Sequence, residues 1–311
     1  MTGQPATRHA SLLGQAVLMK ELRTRMRGWR APLVITLYLL VLAVIALGML
    51  QAMTNSTQSF TVSTAANTGV ALFTVLSLFQ MLLLVFITPA STASAISGER
   101  QRQTLDLLLV TRLSSTGIVL GKLIAALSFD LLLLLCALPL FSLVFLFGGV
   151  APEQLAEAYA VFLGTTLVLG TAGLCISTLT RRSGASAVIS NIFGFIFTLG
   201  LALITAFVAS LSRAPSYGGP NGALPQLPAT AYIDPLFALL YILPGSPSGG
   251  GSLVGSGLGW PAHGPFGAPL ELWQYNLAID VALAALFVIV SIAFLRPRGQ
   301  LGRAGRRAGG R

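Results

Sequence analysis

The chain has 311 residues, of which 54% are apolar and only 9% charged, with a mean hydropathy of +0.81; soluble domains carry about 25% charged residues, so a water-soluble enzyme or binding module is excluded. The net charge of +10 would suit nucleic acid, but basic clusters flanking apolar spans are what membrane topology requires, and no nucleic-acid partner is expected. Cys136 and Cys175 form no CxxC motif, so neither a disulfide framework nor a zinc site is indicated.

The first 30 residues hold six basic side chains ahead of a long apolar run. A cleavable signal has a shorter apolar core and a small-residue cleavage site, so a retained first span is expected. Leu12, Ala16, Met19, Leu22, Met26 and Trp29 recur at helical spacing, with Lys20, Thr24 and Arg27 on a neighbouring flank. This predicts an amphipathic helix lying at the interface, in which Arg23 and Arg30 must snorkel to the headgroups. A generic membrane anchor is the plainer alternative.

An apolar run of about 18 or more residues reads as a span, because the hydrocarbon core is about 30 Å thick and a helix rises about 1.5 Å per residue. Six runs qualify: Pro32 to Met53, Thr68 to Pro89, Ile118 to Phe147, Ala156 to Leu179, Ala185 to Leu211 and Gln274 to Leu295. Of the 19 Lys and Arg residues, 18 fall on alternate sides of these spans, and only Arg213 does not. By the positive-inside rule those sides are cytoplasmic. The predicted fold is an all-α polytopic membrane protein with six transmembrane helices and both termini cytoplasmic. Residues 1–31 form a cytoplasmic segment, 32–295 the membrane domain, with an inner loop at about 97–117 and an outer loop at about 212–273, and 296–311 a basic tail.

The outer loop is rich in Gly, Pro and Ser, and Ser246 to Gly259 has the composition of a flexible linker. Inside it, Pro235 and Pro244 enclose the apolar stretch Leu236 to Leu243. So short a helix cannot cross a bilayer, so it must lie at the outer interface or dip in beside protein.

Catalytic chemistry is hard to find. Hydrolysis of nucleotide by the chain itself would need a GxxxxGK[ST] phosphate cradle. The nearest string, Gly117 to Leu123, is one residue short between its glycines and places Leu123 where the metal-binding hydroxyl belongs. His9 and His263 are the only histidines, and both lie in segments expected to be flexible, so triads and HExxH sites have no scaffold. No catalytic or metal-binding residue is assigned. Among the acids, Asp130 is the deepest and Asp280 sits nearer the outer end of the last span, within reach of water. A carboxylate in a span is a functional candidate because burying its charge is costly, but one acid makes a poor ion relay, and a packing role is the simpler expectation for each. Small residues from Ala90 to Gly98, and Gly164, Gly170 and Gly173, would let helices approach closely. Asn55-Ser56-Thr57 matches a glycosylation sequon, a pattern too common by chance to be given a role.

The segment after the second span is the most informative. Its first half, from Thr88 to Gly98, is small and flecked with polar residues; its second sets Leu105, Leu108 and Leu109 beside Glu99, Arg100, Arg102, Asp106 and Arg112. A short helix of this kind suits docking in a groove on another protein, or else faces lipid at the surface. The order Pro89, Glu99-Arg100, Thr104-Leu105, Leu108 and Gly121-Lys122 resembles the inner loop of permease subunits of the type-2 family of ATP-binding-cassette exporters. Lys20-Glu21-Leu22 is similar to that family's amino-terminal opening. Two positions depart from the pattern: Gln103 stands where Gly often precedes the Thr, and Arg112 stands near a common Pro.

The resemblance implies a half-transporter whose Glu99, Arg100, Thr104, Leu105, Leu108 and Arg112 receive the motion of a separate ATPase subunit. It also implies a second permease subunit, identical or different, and ATP and magnesium on the ATPase rather than on this chain, which binds no cofactor. A reentrant piece before the last span would help close the outer gate, which makes Leu236, Leu239 and Leu243 gate candidates. The multicopper-enzyme-maturation subgroup is one place for such a chain. The rival functions are a membrane scaffold or immunity-type protein that moves nothing, and an ion-coupled secondary transporter, which would want paired intramembrane charges. The excess of Arg over Lys suggests a bacterial cytoplasmic membrane as the address. No short motif identifies the substrate.

Overall fold

The computed structural model describes residues 29–54, 62–101, 103, 115–180, 182–211, 229–244 and 271–295. The amino-terminal stretch with Lys20 and Glu21, and Thr104, Leu105, Leu108 and Arg112, lie outside the described residues. Among the described residues the structure is almost entirely helical and has no strand. The elements are α1 (Arg30–Thr54), α2 (Val62–Ala93), α3 (Ser97–Gln101), α4 (Ser115–Ser142), α5 (Val144–Phe147), α6 (Pro152–Leu179) and α7 (Ser183–Phe195). A π turn (Ile196–Gly200) joins α7 to α8 (Leu201–Leu211); a 3₁₀ turn (Ala229–Tyr232), α9 (Pro235–Ile242) and α10 (Leu272–Leu295) follow.

Six stretches are long and apolar enough to cross a membrane: Ala31–Ala52, Ala65–Gln101, Val119–Phe147, Pro152–Leu179, Ser183–Val208 and Leu272–Leu295. Each overlaps one of the six apolar runs. The largest difference is in the second, where α2 continues through Pro89 to Ala93. Proline removes one backbone donor inside a helix; beyond it, the Thr92 hydroxyl back-bonds to the carbonyls of Thr88 and Pro89.

Helix α6 is the centre of the bundle and packs against α2, α4, α7, α9 and α10. Small residues make this possible. A Cβ on Gly164 would stand 2.9 Å from Asp280 Oδ2 on α10, and one on Gly170 would stand 2.8 Å from Leu127 on α4. One on Gly173 would collide with the Thr92 hydroxyl on α2. The threonines on α6 do not disturb this apolar setting, because Thr165, Thr166, Thr171 and Thr178 each donate to a carbonyl of their own helix. That is how a hydroxyl is satisfied where no water is at hand.

Two apolar clusters follow from this packing. The larger gathers Phe73, Phe141 and Phe162, with Phe73 and Tyr159 each edge-to-face on Phe141. The smaller gathers Ile96, Val119, Leu123, Leu174 and Leu295. It therefore brings together the end of α2, the start of α4 and the ends of α6 and α10, so successive spans alternate in direction. Helix α1 sits at the margin, tied to α2 where the Tyr38 hydroxyl donates to Gln80 Oε1 at 2.6 Å. Its other face, with Leu33, Leu37, Leu40, Val44 and Leu47, is exposed, which suits hydrocarbon rather than water.

The short apolar stretch before the last span packs beside protein. Helix α9 contacts α6, α8 and α10, with Leu239 and Leu243 wholly buried and Leu236 half-buried. Pro235 starts the helix, where a missing N–H costs nothing. Asp234 caps it, its Oδ1 accepting from the backbone N–H of Leu236 at 2.9 Å and of Phe237 at 3.3 Å. Burial pushes the Asp234 carboxyl up from 3.8 to about 7, against the opposing pull of those two N–H groups and of the Thr205 hydroxyl. The folded chain thus holds a proton that the unfolded chain releases near pH 4, and stability falls as pH rises towards 7 and then levels off. Asn caps a helix as well as Asp does. Asp234→Asn is therefore expected to remove this pH dependence and to gain on the order of 2 kcal/mol over the parent above pH 7. Thermal unfolding of both proteins from pH 4 to pH 8 checks it; parallel curves would refute it.

Candidate functional site

The site is built at the end of the bundle where α2, α3, α4, α6 and α7 meet. After Ala93 the backbone leaves the helix for three residues and re-enters it at Ser97. Helix starts leave backbone donors without intrahelical partners, and here the neighbouring span supplies the acceptor. Ser177 Oγ on α6 accepts from the N–H of Ile96 at 3.0 Å and of Ser97 at 2.9 Å. Its hydroxyl lies 3.2 Å from Ser97 Oγ, which donates in turn to the Ala93 carbonyl.

The next three side chains each reach a different span. Glu99 Oε1 pairs with Lys122 Nζ of α4 at 2.8 Å. Arg100 Nη1 donates to the carbonyl of Thr180 at the end of α6 at 3.3 Å, a favourable place for a cation because helix carboxyl ends carry partial negative charge. Gln101 Oε1 accepts from Ser183 Oγ at the start of α7 at 2.7 Å. A helix of one and a half turns is thereby fastened to three spans at once.

Gln103 follows with φ of 57°, the left-handed region that non-glycine residues rarely adopt. Its N–H donates to the Arg100 carbonyl and so closes the short helix. The resemblance noted in the sequence implies glycine at this position. A residue without Cβ enters this region freely.

Of the residues singled out in the sequence, Glu99, Arg100 and Lys122 are brought together here, and Pro89 lies one helical turn before the break in α2, against Gly194 of α7. Gly121 and Lys122 lie inside the continuous helix α4, so the string that loosely resembles a phosphate cradle is not a loop. Leu236, Leu239 and Leu243 are far along the chain, in and just after α9, and take no part. Asp130 is buried on α4, where Ser91 of α2 donates to its Oδ2 at 3.3 Å, a hydrogen bond between helices. Asp280 differs from expectation. It does not reach water but is wholly buried, seated against Gly164 of α6. Ser177, Thr180, Ser183 and Gln101 were not foreseen. A serine in a span has no signature that separates a backbone acceptor from a packing residue, although the paired Arg181 and Arg182 mark the turn in which Thr180 and Ser183 lie.

A family model described as "ABC-2 family transporter protein" matches residues 15–297. No curated protein matches the chain. The match spans nearly the whole chain, including all six candidate spans and the fastened helix at the end of the second. The chain therefore belongs to the ABC-2 family of transporter proteins, as a multi-pass membrane permease.

Proposed function

We infer that the chain is the membrane-spanning subunit of an ATP-driven exporter, forming the translocation pathway with a second permease subunit and driven by a separately encoded ATPase. One observation carries the reading: Glu99, Arg100 and Gln101 tie a single short helix to the ends of three spans. A partner that moves this helix moves the bundle with it, which is what a coupling element must do. The sequence from Thr104 to Arg112, with Leu105 and Leu108 among charged residues, supplies the docking face beyond it. With no phosphate cradle in the chain, ATP and magnesium belong on the partner. The basic residues near this end support a cytoplasmic side, family membership supports the cell membrane as the address, and the Arg-rich composition supports a bacterial source.

Helix α9, with Leu239 and Leu243 buried at the other end, is suited to closing the pathway on the outer side. A scaffold that moves nothing would not need a helix anchored in this way. The test is association. An ATPase encoded beside this chain is expected to co-purify with it from membranes, and Leu105→Lys combined with Leu108→Lys, which leaves the Glu99–Lys122 pair intact, is expected to reduce recovery at least about ten-fold, the loss of a docking contact worth about 1.4 kcal/mol or more. Undiminished recovery with the double variant would remove the coupling assignment.

A further inference from the structure

Asp280 and Asn276 lie one turn apart on α10, and both are wholly buried. Among the described residues, neither carboxylate oxygen of Asp280 and neither amide atom of Asn276 has a hydrogen-bond partner. Asp280 stands about 12 Å inside the Leu272 end of the helix at a rise of about 1.5 Å per residue. It is seated in the notch that Gly164 leaves in α6, where a Cβ would lie 2.9 Å from Asp280 Oδ2. A carboxyl kept only for packing finds a donor, as Asp130 finds Ser91 and Asp234 finds two backbone N–H groups. This one, beside an amide that is equally unpartnered, finds none among the described residues.

The charged and titratable groups on the elements packed against α10 are engaged elsewhere. On α6, Glu157 faces Glu153 and Glu271, the Tyr159 hydroxyl donates to the Leu134 carbonyl, and Cys175 lies beside Ser291. On α4, Lys122 holds Glu99, Asp130 holds Ser91, and Cys136 lies near Tyr38. Towards α9, Asp234 caps that helix, Tyr232 stacks edge-on to Tyr275, and Tyr241 lies near Glu271. Among the described residues no cation stands ready to neutralise Asp280, and a bare carboxylate at this depth is not tolerated.

We propose that Asp280, with Asn276 beside it, is a proton-binding site of the permease, loaded in this closed packing of α6 on α10 and unloaded when the two helices separate. One proton is taken up on a carboxylate oxygen and later given to water; no electron moves and no other bond changes. Asn276, with both donor and acceptor atoms on the same face, is placed to hydrogen-bond the acid or the carboxylate. The proposed export cycle is then linked to pH through a residue remote from the ATPase contact.

Two arms test this, and only the second rests on the exporter reading. In the first, the chain alone in lipid nanodiscs near neutral pH is expected to show, in the infrared difference between the parent and Asp280→Asn, a protonated-carboxyl C=O band that shifts in heavy water. Asp280→Glu is expected to retain such a band. A carboxylate band in its place overturns the proposal. In the second, the pH profile of ATP hydrolysis by the complex is expected to contain a step that Asp280→Asn abolishes and Asp280→Glu moves; an unchanged profile in Asp280→Asn overturns it. If the parent chain stimulates no hydrolysis at all, the exporter reading fails instead, and the infrared arm still decides the site.

Discussion

Glu99→Ala is expected to destabilise the chain by about 1–3 kcal/mol, the cost of removing a carboxylate paired at 2.8 Å with the buried Lys122 ammonium. The asymmetry of the pair makes the expectation specific. Lys122 is 3% exposed and Glu99 25%, so loss of the acid takes a partner from a cation held out of water, whereas Lys122→Met takes one from a carboxylate nearer the surface. The second change is expected to cost about half as much, since an apolar side chain of similar length fills the space. In the double variant the pair is removed from both sides at once, and the loss should fall short of the sum by about 1–3 kcal/mol. Thermal unfolding of the four proteins in detergent measures all three quantities. Equal and additive losses would mean that the pair is a surface contact of little weight.

The second large effect concerns the contact of α6 with α2. A Cβ at Gly173 would collide with the Thr92 hydroxyl and stand 3.4 Å from the Pro89 carbonyl oxygen, which is backbone and cannot swing aside. Gly173→Ala is expected to cost about 1–3 kcal/mol, as overpacking does in a close-packed interior. Gly173→Val should prevent recovery of folded protein. Gly48 supplies the control, because nothing lies within 4 Å of the corresponding position on α1. There Ala should be neutral or stabilising by up to about 1 kcal/mol, through its better helix propensity. Folded yield and thermal midpoint of the three variants check the ordering, and a Gly173→Ala protein as stable as Gly48→Ala would contradict it.

The six spans are readable from sequence because an uninterrupted apolar run of bilayer length is rarely anything but a membrane helix. The close approaches of α6 are partly readable for a related reason: Gly164, Gly170 and Gly173 are small on one helix, and small residues gather where helices touch. Facing is another matter. Helix α9 is apolar on all sides, from Leu236 to Ile242, so no periodicity shows which side meets α6 and which α10, and its burial beside protein had to come from the fold. The same holds for Asp280. Its nearness to a helix end suggests contact with water, and only the fold, with its notch at Gly164, reveals that it is enclosed.

The candidate site divides in the same way. Glu99, Arg100 and Lys122 stand out because charge is scarce in the chain, yet nothing in a spacing of 23 residues says that Lys122 meets Glu99. Ser177 and Thr180 contribute a hydroxyl and a carbonyl to the latch, and a carbonyl has no sequence signature at all. Gln103 is the instructive exception. The departure from the glycine that the resemblance implies falls on a residue with positive φ, a conformation glycine adopts more freely.

The central claim is that motion of an ATPase enters through α3 and its continuation. The most direct measurement is ATP hydrolysis by the neighbouring ATPase in lipid bilayers, with and without this chain. The chain is expected to raise the rate several-fold, and Leu105→Lys with Leu108→Lys is expected to remove that rise while the ATPase alone keeps its basal rate. A rise that survives the double variant, or a rate indifferent to the presence of the chain, would contradict it.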